Sequence, residues 1–205
     1  MKIDLHVHTS HSYDASGSPE EVLAQAAEIG LDGIAITEHN SYHKTEIFLE
    51  LAPYYDLVVF AGAEVPTLLG HYLVFSENIS QWNPYCHSLR NAQDLVDDVN
   101  SQGGAIISAH PYRFGLGFGG REVKKLKGLS AIEVYNGGNH NGDNKSAMQI
   151  ASEMNLPGTA GSDAHRIEEI GRCYTEFAFP IRNLSELIQT LKAGEYRPVF
   201  PEKIK

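Results

Sequence analysis

Thiols are almost absent from this 205-residue chain: it has two cysteines, Cys86 and Cys173, in no CxxC and beside no other group of metal-type residues. That excludes a disulfide framework and a thiolate-built zinc site. Basic charge is scarce too, with 16 lysines and arginines against 26 aspartates and glutamates, a net charge of −10. An extended, sequence-independent grip on nucleic acid needs a basic footprint and is not expected. A small anionic substrate stays open, because bound metal can reverse the local field. No apolar run is long enough to span a bilayer, no signal-peptide layout precedes the first strand pattern, and no repeat or low-complexity stretch occurs. The expectation is a cytoplasmic protein without membrane contact, folded as a single domain over residues 1–205.

What the chain does have is a set of nine scattered residues that can ligate metal: His6, His8, Asp14, His39, Glu64, His71, His110, Asp163 and His165. Nearly every one falls where an apolar, strand-like run gives out. Residues 2–9 (KIDLHVHT) show the logic, since Ile3, Leu5 and Val7 alternate with Asp4, His6 and His8. Successive side chains of a strand point to opposite faces, so His6 and His8 converge on one side. A half-exposed strand that merely carries histidines is the bland alternative, and it weakens as the later runs repeat the pattern.

Those runs alternate with helical ones. Ser18-Pro19-Glu20-Glu21 is an N-cap signature ahead of an amphipathic stretch that stops at Gly30. Residues 31–37 (LDGIAIT) read as a strand before His39, 42–54 as helix, 57–63 (LVVFAGA) as a continuous strand before Glu64, and 71–75 (HYLVF) as a shorter one that begins at a histidine. Residues 90–102 predict a helix, 105–109 a strand before His110, 130–135 a strand, 143–155 a helix, and 156–161 a strand before Asp163 and His165. A further strand over 172–179 and a helix over 184–193 precede a tail, 197–205, that wraps the body or extends from it. The alternation predicts an α/β fold with a parallel sheet: a distorted, TIM-like (β/α)7 barrel holding its metal site at the C-terminal ends of the strands, with a doubly wound open sheet as the alternative.

The residues resemble the PHP domain family, named after polymerases and histidinol phosphatases. The resemblance lies in DLHVHTSHSYD (4–14), ITEHN (36–40), GAE (62–64), GHYLVF (70–75), AHP (109–111), EVYN (133–136) and GSDAH (161–165), all in family order. It implies three divalent ions: the first on His6, His8, Glu64 and Asp163, the second on Glu64, His71 and His110, the third on Asp14, His39 and His165. Glu64 bridges, because a carboxylate has two oxygens to share. Nitrogen and oxygen ligands suit zinc, manganese or iron alike. Glu38 departs from the family's more frequent aspartate and is expected behind the ligands, and the 38 residues between His71 and His110 leave no room for the cap some relatives carry.

Three divalent ions would leave these nine ligands with a net charge of about +3, which favours a phosphate. The expected function is a phosphoesterase in which a metal-activated hydroxide attacks phosphorus, with Glu64, Asp163 and His165 as the catalytic residues and a small phosphorylated substrate, a nucleotide or oligonucleotide end favoured. Arg113 leads the candidates for phosphate binding, ahead of Arg121 and Arg172. A histidinol-phosphate-type phosphatase, a hydrolase of carbon–nitrogen bonds, and a non-catalytic binding module are the alternatives. GLGFGG (115–120) matches a dinucleotide fingerprint by letter but not by context and reads as a lid, with Phe118 over the substrate; NGGNHNG (136–142) reads as a substrate loop or plain turn chemistry. His11, His43, His87 and His140 are expected outside the ligand set.

Overall fold

Ser18 starts the first helix as its pattern requires. Its hydroxyl accepts from the Glu21 amide at 3.3 Å, the Glu21 carboxylate accepts from the Ser18 amide at 2.8 Å, and Pro19 takes the first helical position. In the computed structural model, which describes residues 1–41, 45–78, 90–113 and 119–201, the order is β1 (Lys2–Val7), α1 (Pro19–Glu28), β2 (Gly33–Ile36), α2 (Glu46–Leu51), β3 (Val58–Ala61), β4 (Ala63–Thr67), β5 (Gly70–Phe75), α3 (Ala92–Ser101), β6 (Ala105–Ala109), β7 (Ala131–Asn136), α4 (Asn141–Met154), β8 (Gly158–Gly161), β9 (Tyr174–Phe177), α5 (Leu184–Ala193) and β10 (Tyr196–Val199).

The α/β class holds, and the sheets are mixed. The strands pair as two five-stranded sheets, β10-β9-β1-β2-β3 and β4-β5-β6-β7-β8. Pairing is parallel through β1-β2-β3 and β6-β7-β8, while β5 runs against both β4 and β6, and β9 against both β1 and β10. The pairing is therefore mixed where a parallel sheet was expected, and it does not confirm the distorted, TIM-like barrel. One physical reason lies in a short connection: only Leu68 and Leu69 separate β4 from β5, and so short a link forces antiparallel pairing, since a parallel crossover needs a dozen residues or more. Isolated parallel bridges join the two sheets at both seams, Val7 to Ala164 and His39 to Glu64.

Three buried clusters hold this arrangement. Ile3, Leu5, Phe60, Leu73, Phe75, Ile107 and Phe177 pack between the two sheets and under α5, whose Leu187 and Leu191 are fully covered. Val7, Ile34 and Ile36 meet α1 and α2 through Leu23 and Phe48. Val74, Ile106 and Ile132 meet α3 and α4 through Leu95, Val96 and Ile150. Burying each such side chain contributes roughly 1.5–3 kcal/mol, so the helices are fixed by their apolar stripes rather than by local propensity.

Several boundaries differ from the sequence expectation. The run over 57–63 breaks at Gly62 into β3 and β4, and a Cβ there would lie 2.7 Å from the Phe75 ring. The expected helix over 42–54 is α2 followed by a 3-10 turn at Ala52–Tyr55, with 42–44 outside the described residues. The tail neither wraps nor extends over its first part: Tyr196–Val199 is β10, paired with β9, and 202–205 lie outside the described residues. His43, Cys86, His87 and residues 115–118 of the expected lid, Phe118 among them, also lie outside. No helix of the described residues is long and apolar enough to cross a membrane.

Candidate metal centre

The seams bring the strand ends together. Asp163 donates its amide to His6 O at 2.7 Å and His8 donates to Ala164 O at 3.0 Å, while Glu64 donates to Glu38 O at 3.1 Å. Gly161 permits the first approach, since a Cβ on it would stand 2.5 Å from the His6 Cβ. Asp163 and His110 leave their strands with φ of 53° and 28°, in the left-handed region that costs a non-glycine residue roughly 1–3 kcal/mol. Both turns aim a ligand inward.

There His6 Nε2 lies 3.1 Å from His8 Nε2, 3.4 Å from Asp163 Oδ1 and 3.7 Å from Glu64 Oε1. His8 Nε2 is 3.3 Å from Asp163 Oδ1 and 3.4 Å from Glu64 Oε2. On the other side, Glu64 Oε1 is 2.9 Å from both His71 Nδ1 and His110 Nε2. His71 begins β5 instead of ending it, and the reversed direction of that strand is what puts it at the same rim. A third group stands further out: Asp14 Oδ2 lies 3.3 Å from His39 Nε2 and 3.6 Å from His165 Nε2. All nine sequence candidates thus meet in one place, and trios drawn from eight of them offer ligand atoms within 4.8 Å of one another.

The inner group fits a cation. His6 donates Nδ1–H to Glu133 Oε1 at 2.9 Å, which leaves Nε2, the atom that would hold a cation, facing His8 Nε2 and two carboxylates. Lone pairs converging in this way, away from water, call for positive charge. The titration behaviour agrees. Burial works to lower the His6 pKa, yet the Asp163, Glu133 and Glu64 carboxylates outweigh it and raise it well above the usual imidazole value. Burial likewise works to raise Glu64 and Asp163, and the surrounding histidines, with Arg113 beside Asp163, hold both well below the carboxylate range. Burial lowers His8, which keeps it neutral and available as a ligand.

The candidate substrate residues divide. Arg113 and Arg172 line a cavity of about 450 Å³ that opens beside Asp163 and His165, together with Arg166, Asp14 and Glu169. Arg113 Nη1 reaches Asp163 Oδ2, and Arg172 Nη1 lies 3.4 Å from Glu169 Oε1. Arg121 is not brought there: it is exposed on the 3-10 turn Gly120–Lys125, and its charge acts on Glu153 instead. His11 stands edge-on to Phe48, and His140 caps α4, both away from the ligand set.

Sequence reasoning gave no role to the residues that hold the ligands. Glu133 accepts from His6 through one oxygen and from the His110 amide through the other, at 2.8 Å. Asn136 donates to Glu133 Oε2 at 2.9 Å and to Asp163 Oδ2 at 3.2 Å. Asp4 accepts from the Ser162, Gly171 and His6 amides; burial pushes its pKa up to about 6 and those bonds pull against it. The signal for Glu133 was present, as a lone carboxylate inside an apolar strand. Glu38, expected behind the ligands, is buried there and accepts from the hydroxyls of Thr9 and Ser12.

The PHP domain pattern matches residues 4–110, and a PHP-associated pattern matches residues 141–196. The chain belongs to the PHP domain family. It is 27% identical to an uncharacterised protein of Methanocaldococcus jannaschii over 148 residues, 66% of this chain and 82% of that one. Its fold is similar to that of a two-domain protein of Bacteroides vulgatus containing a predicted PHP-like metal-dependent phosphoesterase, with a TM-score of 0.74 and 21% identity over 98% of this chain and 64% of that one. It is also similar to an amidohydrolase of Chromobacterium violaceum, solved with sulfate and no metal, at a TM-score of 0.70 and 18% identity over 99% of each chain. At these identities the two solved structures show a shared fold.

Proposed function

We propose that this protein is a metal-dependent hydrolase, and within that class a phosphoesterase acting on a small phosphorylated substrate, with a nucleotide or an oligonucleotide end as the favoured group. One observation carries the reading: His6, His8, Glu64 and Asp163 converge their lone pairs within 3.7 Å in a buried place that draws positive charge. The groupings support three divalent ions, zinc, manganese or iron, divided as the family resemblance implies. When bound, such ions supply Lewis acidity, lowering the pKa of water and neutralising phosphate oxygens.

The protein's own residues arrange the rest. Glu64 would be the shared ligand, because Oε1 meets His71 and His110 while Oε2 meets His8 and His39, the latter at 2.8 Å. Glu133 fixes the His6 tautomer, and Asp163 faces the cavity through which a substrate reaches the centre. Arg172 in that wall, its side chain 43% exposed, is free to turn toward a phosphate. The Bacteroides and Chromobacterium proteins carry phosphoesterase and amidohydrolase names, and activated water serves either reaction. Arginines in the cavity wall favour the phosphate. The test is a screen of phosphomonoesters, phosphodiesters and amides with manganese, zinc or iron added to metal-free protein. Turnover of a phosphate ester that vanishes in Glu64→Gln is expected. Turnover of amides alone overturns the phosphoesterase assignment, and no turnover, with no metal retained, overturns the hydrolase.

A further inference from the structure

Arg113 is committed to the protein more than a simple phosphate ligand needs to be. Its guanidinium spends three of its N–H groups internally: Nη1 on Asp163 Oδ2 at 2.5 Å, Nη2 on Asn136 Oδ1, and Nε on Asn139 Oδ1 at 3.1 Å. Two of these acceptors belong to the 136–139 loop, which is shaped around the arginine. A Cβ on Gly138 would stand 2.6 Å from Nη2, and a Cβ on Gly137 would stand 2.6 Å from Ser162 O, directly before Asp163. The same loop supplies the Asn136 amide that donates to Asp163 Oδ2.

The carboxylate so held needs holding. Asp163 departs from its strand in the left-handed region, beyond the last residue of β8, where Asn136 at the end of β7 and Arg113 are what hold Oδ2. With Oδ2 occupied by Arg113 and Asn136, Oδ1 is the oxygen left facing His6 and His8, at 3.4 and 3.3 Å. We propose that Arg113, clamped by the Asn136–Asn139 loop, is a positioning residue that presents Asp163 Oδ1 to the metal centre and thereby sets how tightly the centre holds metal. This rests on the metal-centre reading above. Two effects of the arginine oppose each other: its charge repels a nearby cation, while its planar fork fixes the carboxylate. The fork prevails, because Arg113 and Asn136 hold Oδ2 and so turn Oδ1 toward His6 and His8.

The competing effects make the test sharp. Metal affinity is measured without substrate, by competition with a chromogenic chelator for zinc and for manganese, on wild type, Arg113→Ala, Arg113→Lys and Gly138→Ala. Thermal melting in parallel reports folding. Positioning predicts that all three variants bind more weakly, by about tenfold or more, since losing the partner that orients a ligand costs 10–100-fold. Lysine cannot restore the fork and fails with alanine. If charge were what mattered, alanine would bind more tightly and lysine as wild type, which overturns the proposal. So does unchanged affinity in every variant with only KM raised, the mark of a phosphate ligand. Should Arg113→Ala not fold, Gly138→Ala, which leaves the arginine in place and fills its slot, carries the decision. Absence of binding by wild type overturns the metal centre itself and is distinct from equal binding by wild type and variants.

Discussion

The inner and outer halves of the centre use the same residue types and are built differently. The side chains of His6, His8, Glu64, Asp163 and His110 are at most 1% exposed, with His71 at the rim at 26%, whereas Asp14 is 34%, His39 17% and His165 28% exposed. The inner residues are also braced, by the buried Glu133 and Asn136 and by Arg113, while Asp14 meets His39, His165 and the exposed Tyr13. A buried, braced site is preorganised and slow to release its ion; an open one exchanges readily. The difference teaches that ligand identity alone does not make these sites equivalent.

Breaking the shared ligand should have the largest effect. Glu64→Gln removes a carboxylate that faces both inner groups, and activity is expected to fall by about a thousandfold or more, since metal stabilisation of the transition state is worth several kcal/mol. Metal content measured on the same sample should fall with it. Next comes the bracing: Glu133→Gln leaves the His6 ring without its carboxylate partner, and inner-site affinity is expected to drop by roughly 10–100-fold in chelator competition. Asp14→Asn sharpens the contrast from the other side, removing the most readily exchanged ion and leaving the slow phase of chelator release as in wild type. Loss of the slow phase in that variant would show the two halves to be one unit.

Stability should divide along the same line. Ser12→Ala deprives buried Glu38 of a hydroxyl donor and is expected to cost roughly 1–3 kcal/mol in denaturant unfolding. Tyr13→Ala, one residue further along at a side chain 91% exposed, is expected to change stability by less than about 0.5 kcal/mol. Equal effects at the two positions would contradict the division.

Most of the candidate ligands were readable from sequence because they sit at the end of an apolar run, and run length and alternation are local properties; Asp14, in a loop, and His71, near the start of β5, are the exceptions. The helices were readable for the same reason, α5 to the residue. Which strand lies beside which was not, since that depends on contacts between distant segments: β5 reverses direction, β9 and β10 add to the edge of β1, and the expected parallel pairing becomes mixed. Arg113 and Arg121 look alike as arginines in one stretch of chain, yet only the first is carried to the cavity. Glu133 was overlooked because its value lies in what it touches, and His6 is 127 residues away.

The hairpin of β4 and β5 has a bearing on the order in which the centre is assembled. It closes Glu64 onto His71 across 7 residues, whereas the Asp4 bond to Ser162 that places Asp163 spans 158. Closing a short loop is fast and a long one slow. During synthesis the second pair of ligands can therefore form while the ribosome still holds the rest, but the first remains open until the GSDAH segment emerges and docks on β1. If the centre holds metal as proposed, an unfinished chain would offer it only Glu64 and His71, and tight capture would await the closing of the last seam.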